Sequence, residues 1–167
     1  MIPKELILAK ELIYNPCSFI CTEAIAEAES KEYHAHTFKI NNHLVCYRLA
    51  KITPTKKGQF VTLWKRSENG PIAPFHISDA IDFFIVSTRK DSCFGQFIFP
   101  KAVLHDKGIL SGNNKEGKRA MRLYPPWDHA TNKQAQKTQQ WQLAYFLEIP
   151  EDKPIDIVQA KKFLSIK

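Results

Sequence analysis

The chain has 167 residues, 44% of them hydrophobic and 25% charged, with a formal net charge of +7. These values are ordinary for a globular protein, and the length fits a single domain, 1–167, with a sizeable core. No apolar run approaches the roughly eighteen residues of a membrane span, and the N-terminus lacks the pattern of a signal peptide. We therefore expect a cytoplasmic protein with no membrane partner.

The charge is unevenly distributed along the chain. Residues 1–38 contain three lysines and six glutamates, whereas residues 39–167 contain 21 lysines and arginines against 11 acidic residues. A basic excess over most of a chain indicates a polyanionic partner, and nucleic acid is the commonest one. The basic segments have the pattern of strands, which argues against a basic amphipathic helix on a membrane surface.

The cysteines do not predict a metal site. They stand at positions 17, 21, 46 and 93, and His34, His36 and His43 lie near the first three. Their spacing matches no common zinc module. In the cytosol we expect no structural disulfide, and buried thiols acting as small apolar groups are the simpler interpretation. We expect no metal and no cofactor.

The first 35 residues are predicted to form a helical cap. Pro3 and the apolar spacing that follows predict a helix over Ile2–Tyr14. A second helix is predicted over Ser18–Tyr33, whose apolar residues recur at helical spacing and whose outer face is acidic. The acidity of this cap argues against contact with phosphates.

Residues 36–128 are predicted to form a β-rich body. The predicted strands are Thr37–Ile40, His43–Ile52, Gln59–Trp64, Asp82–Ser87, Cys93–Pro100 and Lys118–Tyr124. A short helix is predicted over Lys101–Lys107. In the second strand, Val45 and Tyr47 should face one side and Cys46 and Arg48 the other.

The last part, 129–167, is predicted to be helical, with helices over Thr131–Phe146 and Ile155–Ile166. Strands in series with helices at both ends are typical of an α+β fold with a mostly antiparallel sheet. The number of strands is sufficient for a partly closed barrel.

A tight basic turn joins two of the predicted strands. From Arg48 to Arg66 there are six basic residues and no acidic one, and Pro54 and Gly58 bracket the turn. We expect the cations of this hairpin and its ends to form an electrostatic footprint for a polyanion. They are Lys51, Lys56, Lys57, Lys65 and Arg66.

A second basic cluster surrounds the strand at Lys118–Tyr124. Its candidate phosphate-binding residues are Lys115, Lys118, Arg119 and Arg122. Nearby aromatic residues, which could stack on an unpaired base or simply pack in the core, are Trp64, Tyr124 and Trp127. The amides of Gln134, Gln136, Gln139 and Gln140 are further polar candidates.

Catalytic residues are not predicted. A nuclease of the restriction type needs carboxylates and a lysine at the ends of neighbouring strands to hold Mg²⁺. Glu29-Ser-Lys31 falls in a predicted helix, and no Glu-x-Lys follows Asp79 and Asp82. Cys93 has no local partner for nucleophilic catalysis. A non-catalytic nucleic-acid-binding protein is the first hypothesis. A metal-dependent nuclease, or a module for an acidic protein or small anionic ligand, is the alternative.

Several longer motifs resemble one family. They are Glu29-Ser-Lys-Glu-Tyr33, Arg48-Leu-Ala-Lys-Ile-Thr-Pro-Thr-Lys56, Gly58-Gln-Phe-Val-Thr-Leu-Trp-Lys-Arg66, Phe97-Ile-Phe-Pro-Lys101, Gly117-Lys-Arg119 and Tyr124-Pro-Pro-Trp-Asp128. Together, and in this order, they resemble the signature of MepB-like proteins over roughly residues 29–146.

The resemblance implies a small bacterial cytosolic protein with the fold of a DNA-binding pseudobarrel. In such folds nucleic acid lies on a basic concave face, and arms from two hairpins enter the groove. DNA is therefore expected more than RNA. The resemblance and the charge distribution predict the same kind of partner; neither predicts the oligomeric state.

Overall fold

The structure is a computed structural model that describes residues 1–66 and 69–165. The helices are α1 (Lys4–Ala9), α2 (Lys101–Asp106), α3 (Lys133–Leu143) and α4 (Ile157–Phe163). The strands are β1 (Ile25–Ala26), β2 (His36–Ile40), β3 (His43–Leu49), β4 (Lys51–Ile52), β5 (Gln59–Thr62), β6 (Trp64–Arg66), β7 (Ile72–Pro74), β8 (Phe83–Lys90), β9 (Cys93–Pro100), β10 (Ala120–Leu123) and β11 (Phe146–Glu148). A π-helical turn, Lys10–Tyr14, continues α1. None of the described helices has the length and apolarity needed to cross a membrane.

A six-stranded sheet forms the centre of the molecule, in the order β1-β2-β3-β8-β9-β11. Every neighbouring pair is antiparallel except β3 and β8, which are parallel. The long connection between these two strands contains β4 to β7. Because β1 and β11 are free edges, the described residues form an open, sheet-rich α+β fold, without a closed barrel.

Both faces of the central sheet are buried, by different partners. On one face Val45, Tyr47 and Ile85 pack against α1, its π-helical continuation and α4. On the other face Cys46, Phe84, Phe97 and Phe99 pack against a second sheet, of order β10-β5-β4. The alternation predicted for β3 is confirmed. The inner face of the second sheet is therefore covered by the central sheet, whereas its outer face is partly exposed, as is common for small antiparallel sheets.

Arg48 connects the two sheets. It points from β3 into the interior and is fully buried. Its Nε donates to the carbonyl of Thr62 on β5 at 3.2 Å, and Nη1 donates to the carboxylate of Glu27 and to the carbonyl of Tyr47. A buried guanidinium needs such partners, because an unpaired charge in the interior is strongly unfavourable. This contact fixes β5 relative to the central sheet.

The helix predicted over Ser18–Tyr33 is wrong. The segment instead runs along β2 as an edge: Thr22 N donates to Lys39 O at 3.0 Å, and β1 pairs with β2. Only a single 3₁₀ turn, Lys31–Tyr33, is helical. Of the apolar residues whose spacing predicted the helix, Phe19 and Ala24 pack against the core, whereas Ile20 and Ala28 are exposed. Pairing with β2 therefore decides the conformation of this segment.

Two short strands lie where the sequence predicted other structure. β7 pairs with β6 in a segment expected to be a loop. β11 pairs with β9 and begins at Phe146, where the predicted helix Thr131–Phe146 was expected to end. The predicted strands and the helix at Lys101–Lys107 are found with shifts of a few residues, with two exceptions. The strand predicted over His43–Ile52 is divided between β3 and β4, and the one predicted over Gln59–Trp64 is divided between β5 and β6. The terminal helix is shorter than predicted, and Ile166, its expected end, lies outside the described residues.

Candidate nucleic-acid interface

The outer face of the second sheet carries a row of cations and an aromatic ring. Phe60 on β5 is paired with Lys51 on one side and Arg122 on the other, so the three side chains project from the same face. The alternate residues Val61, Met121 and Leu123 are buried against the central sheet. This alternation leaves Phe60 and Arg122 half-buried and Lys51 exposed.

Cations lie over the rings on this face. The guanidinium carbon of Arg122 is 5.6 Å from the centre of the Phe60 ring, and Lys51 Nζ is 5.1 Å from the centre of the Tyr33 ring. The rings of Tyr33 and Phe60 are 6.3 Å apart. Cation–π contacts of this kind are weakly favourable at exposed sites, and they keep both charged groups at the surface of the sheet.

Tyr33 is held at the sheet by the motif that contains it. Ser30 is buried and left-handed, with φ of 56°, and its hydroxyl is 2.8 Å from that of Thr62 on β5. Tyr33 N donates to Ser30 O at 3.0 Å and closes the turn. The side chain of Tyr33 is thereby directed towards the row, although it is distant in sequence from both basic clusters.

The turn between β4 and β5 brings the two predicted basic clusters together. Nη1 of Arg122 donates to the carbonyl of Lys57 at 3.1 Å and to the hydroxyl of Thr53 at 3.0 Å. Gly58 has φ of 81°, and a Cβ there would lie 2.6 Å from the carbonyl of Leu123. Only glycine fits this close approach, so the position of Lys56 and Lys57 beside β10 is fixed by the backbone.

A groove of about 550 Å³ lies between β10 and α3. Its cations are Lys107, Lys118 and Arg122, and its aromatic residues are Phe60, Tyr124 and Trp141. Asn132, Gln134 and Thr138 of the α3 side add polar groups. None of the described residues that line it is acidic, and no described acidic group lies within 4.0 Å of its three cations. The groove therefore has the electrostatic character of an anion-binding site.

Two glutamines attach α3 to the rim of this groove. Gln142 is buried; its Nε2 donates to Arg122 O, and its Oε1 accepts from Tyr124 N, each at 2.9 Å. Gln139 donates to the carbonyl of Asp128 at 2.7 Å. Of the four predicted polar candidates, Gln134 lines the groove, whereas the Gln139 amide is engaged within the fold.

Three of the predicted residues lie on the β6–β7 ribbon, outside the groove. Lys65 Nζ is 2.7 Å from Asp79 Oδ1, and Arg66 Nε is 2.9 Å from Glu29 Oε1. Arg66 also lies over the ring of Trp64, at 5.8 Å from its centre. Each of these cations has an acidic partner that the sequence did not reveal, so their charge is already balanced locally.

Three others of the predicted residues are also separate from the groove. Lys115 is exposed in a small turn, and Arg119 is paired with Glu116 at 3.0 Å. Trp127 packs edge-on against Phe146, 5.8 Å between ring centres. It lines a different groove, of about 580 Å³, whose charged residues are Glu148, Glu151, Asp152 and Lys153. That groove is acidic and forms a natural contrast to the basic one.

The carboxylates considered for a nuclease have structural partners. Asp79 accepts from Lys65 and, at 2.8 Å, from His76 N. Partial burial raises the pKa of Asp79, but the amide hydrogen bond and Lys65 outweigh it, so that the net pKa is below its ordinary value. Asp82 accepts from Leu44 N at 2.8 Å.

The cysteines are spread over different environments. Cys17 and Cys46 are buried, and burial raises the pKa of Cys46 to about 12. Cys21 is half-buried and Cys93 is exposed. Across 1–66 and 69–165 there is no group of three or more His, Cys, Asp or Glu side chains arranged to hold a metal ion.

Sequence reasoning missed Lys107, Tyr33, Phe60 and Trp141. The period of two along β5 could have placed Phe60 on the outer face, opposite Val61. Nothing local indicates Lys107 or Trp141, because the approach of α2 and α3 to the groove is a tertiary feature. Of the residues that were predicted, Lys118, Arg122 and Tyr124 line the groove, and Lys51, Lys56 and Lys57 lie beside it.

Fold and groove together define a small α+β protein with a basic cleft on one exposed sheet. The family model described as MepB-like matches residues 27–148. The chain therefore belongs to the MepB-like family, as the sequence motifs predicted. The match includes the Ser30–Tyr33 turn, both basic clusters and α3.

Two solved structures are similar to this chain. The crystal structure of MepB has 35% sequence identity and a TM-score of 0.76, over 90% of this chain and 99% of that one. The bacterial homing endonuclease I-Ssp6803I has 12% identity and a TM-score of 0.44, over 79% of this chain and 82% of that one, a likeness too small to inform on function. No curated protein matches the chain.

Proposed function

We propose that this protein is a non-catalytic nucleic-acid-binding protein that uses the groove between β10 and α3. The observation that carries the proposal is the composition of the groove: three cations, polar groups from α3, and no acidic residue among the described lining. Phosphates are bound by cations placed at several points along a surface, and amides add polar contacts. The exposed lysines 51, 56 and 57 extend the same surface beyond the groove.

As part of this proposal, the protein is cytoplasmic and bacterial and prefers DNA to RNA. The sequence and its resemblance to the family imply these properties. So does the finer description of the fold as a partly closed pseudobarrel. In that description the second sheet would form part of the concave wall. The groove does not depend on barrel closure, because residues of the second sheet and of α3 line it in the open fold.

A small anionic ligand is the competing occupant, because a volume of about 550 Å³ also suits a drug-sized molecule. The two occupants differ in salt dependence. A chain of phosphates that displaces several counterions gives a steep dependence of log K on log salt, whereas a single anion displaces few.

The test is a fluorescence-anisotropy titration of a labelled duplex and a labelled single strand at several salt concentrations. With about four to six phosphates contacted, we expect slopes of roughly −4 to −5 on the duplex and −3 to −4 on the single strand. Heparin of equal charge is the competitor and should displace the strand poorly. Absence of binding at about 50 mM salt, or a flat response to salt, would refute the proposal.

A further inference from the structure

The groove contains more than a phosphate site requires. Alongside its three cations it presents the rings of Phe60, Tyr124 and Trp141, all half-buried. Contacts to phosphate oxygens need cations, amides and hydroxyls, and have no use for aromatic surface. Aromatic side chains in a basic groove are the usual platforms on which unpaired bases stack.

The rings are fixed in place before any ligand arrives. The Phe60 ring is held between Tyr33 and Arg122: its centre is 6.3 Å from the centre of the Tyr33 ring and 5.6 Å from the guanidinium carbon of Arg122. The ring centres of Trp141 and Phe99 are 5.6 Å apart, and Lys107 Nζ is 5.5 Å from the centre of the Trp141 ring. The Tyr124 ring lies against Gly58. Because little side-chain freedom is lost on binding, stacking on these rings is favoured.

A duplex is unable to use such rings, because its bases are already stacked inside the helix and only its backbone and groove edges are accessible. An unpaired base can leave the strand and enter a cleft of this size. Lys118 and Arg122 lie on the same wall as Tyr124, so a phosphate and the adjoining base could be held together.

We infer that the groove is a site for an unpaired nucleotide, and that the protein prefers single-stranded nucleic acid, with base stacking supplied by Phe60, Tyr124 and Trp141. This inference rests on the proposed function and names the substrate class of the same site. The exposed Gln134 and Asn132, which also line the groove, are positioned to meet the edge of a bound base.

The experiment compares three labelled ligands with the same number of phosphates: an oligothymidylate strand, an abasic strand and a duplex. Abasic and thymidylate strands share charge and flexibility, so their difference isolates the bases. We expect the thymidylate strand to bind about tenfold more tightly than the abasic strand, within the range that one stacked base contributes, and more tightly than the duplex.

Phe60→Leu supplies the second arm. It should lower the ratio of thymidylate affinity to abasic affinity, and Phe60→Tyr should restore that ratio. The two strands are compared within each variant, because Phe60 also contacts Arg122 and any loss of phosphate binding would affect both strands alike. Equal binding of thymidylate and abasic strands by the unaltered protein would overturn the inference while leaving the proposed function intact. Failure to bind any of the three would overturn both, and neither result depends on a variant that folds.

Discussion

Removing two groove lysines should weaken nucleic-acid binding and reduce its dependence on salt concentration. Lys107→Ala combined with Lys118→Ala is the appropriate change, because both side chains are exposed and neither has an acidic partner among the described residues. Arg122 is a poorer probe, since its guanidinium also holds Thr53 and the β4–β5 turn. Weaker binding after substitution of Arg122 could therefore come from the lost charge or from a displaced β4–β5 turn.

The size of the effect follows from counterion release. Each phosphate of a single strand that the protein no longer neutralises reduces the slope of log K against log salt by about 0.7, so two phosphates reduce it by about 1.4. At 0.1 M salt this corresponds to roughly 25-fold weaker binding, and the difference should fade towards 1 M salt. Thermal stability should hardly change, because exposed charges contribute little to it.

The matched control is Lys161→Ala combined with Lys162→Ala on α4. It removes the same charge from the helix that packs on the opposite face of the central sheet. Anisotropy titrations at four or more salt concentrations give the slope for each variant. If the control pair reduces affinity and slope as much as the groove pair does, the protein binds through its net charge and the groove has no special part.

Three further predictions concern the framework of the site. Glu27→Ala should lower the free energy of unfolding by about 2–3 kcal/mol, and the Tm by roughly 5–10 °C in calorimetry, because it leaves the buried Arg48 without its carboxylate partner, although Glu27 is itself a quarter exposed. The control is Glu23→Ala, at an exposed glutamate of the same segment, and a decrease no larger than the control's would contradict this role. The lowered pKa of Asp79 means that its contribution to stability is complete above about pH 4 and is lost as the pH falls through the folded value. Lys65→Met should raise that pKa in an NMR titration, and no shift would show that the ion pair is absent in solution. Thiol labelling of the native protein should modify Cys93 first and leave Cys17 and Cys46 protected until unfolding, and early reaction of Cys46 would be inconsistent with its burial.

The parts of the fold that sequence predicted are those with strong local signals. The hairpin of β8 and β9 was recognisable from two dense apolar runs around Arg89-Lys90-Asp91, and Asp91 indeed has a positive φ of 54°. The segment Ser18–Tyr33 was mispredicted because the pairing with β2 that keeps it extended is non-local and leaves no local sequence signal. β7 and β11 are three residues each, too short to give a pattern.

For the candidate site, the charge distribution predicted a basic surface. It did not predict which cations line the groove and which are paired with carboxylates elsewhere. Lys65 and Lys118 are alike in sequence context, yet only Lys65 meets a carboxylate, from Asp79 in a distant loop. Trp127, a predicted candidate, lines an acidic groove, whereas Trp141, which was not predicted, lines the basic one. Such differences arise from tertiary packing, which composition and spacing do not encode.

Nucleic acid that binds as proposed lies in the groove between β10 and α3. Photo-crosslinking of a 5-bromouracil-substituted single strand, followed by mass spectrometry of the linked peptides, tests it most directly, because the reaction reports the residues in contact with a base. We expect crosslinks at Phe60, Tyr124 or Trp141, and we expect Lys107→Ala with Lys118→Ala to suppress them. Crosslinks confined to Trp127 and its acidic groove, or to Trp64 on the β6–β7 ribbon, would contradict this expectation.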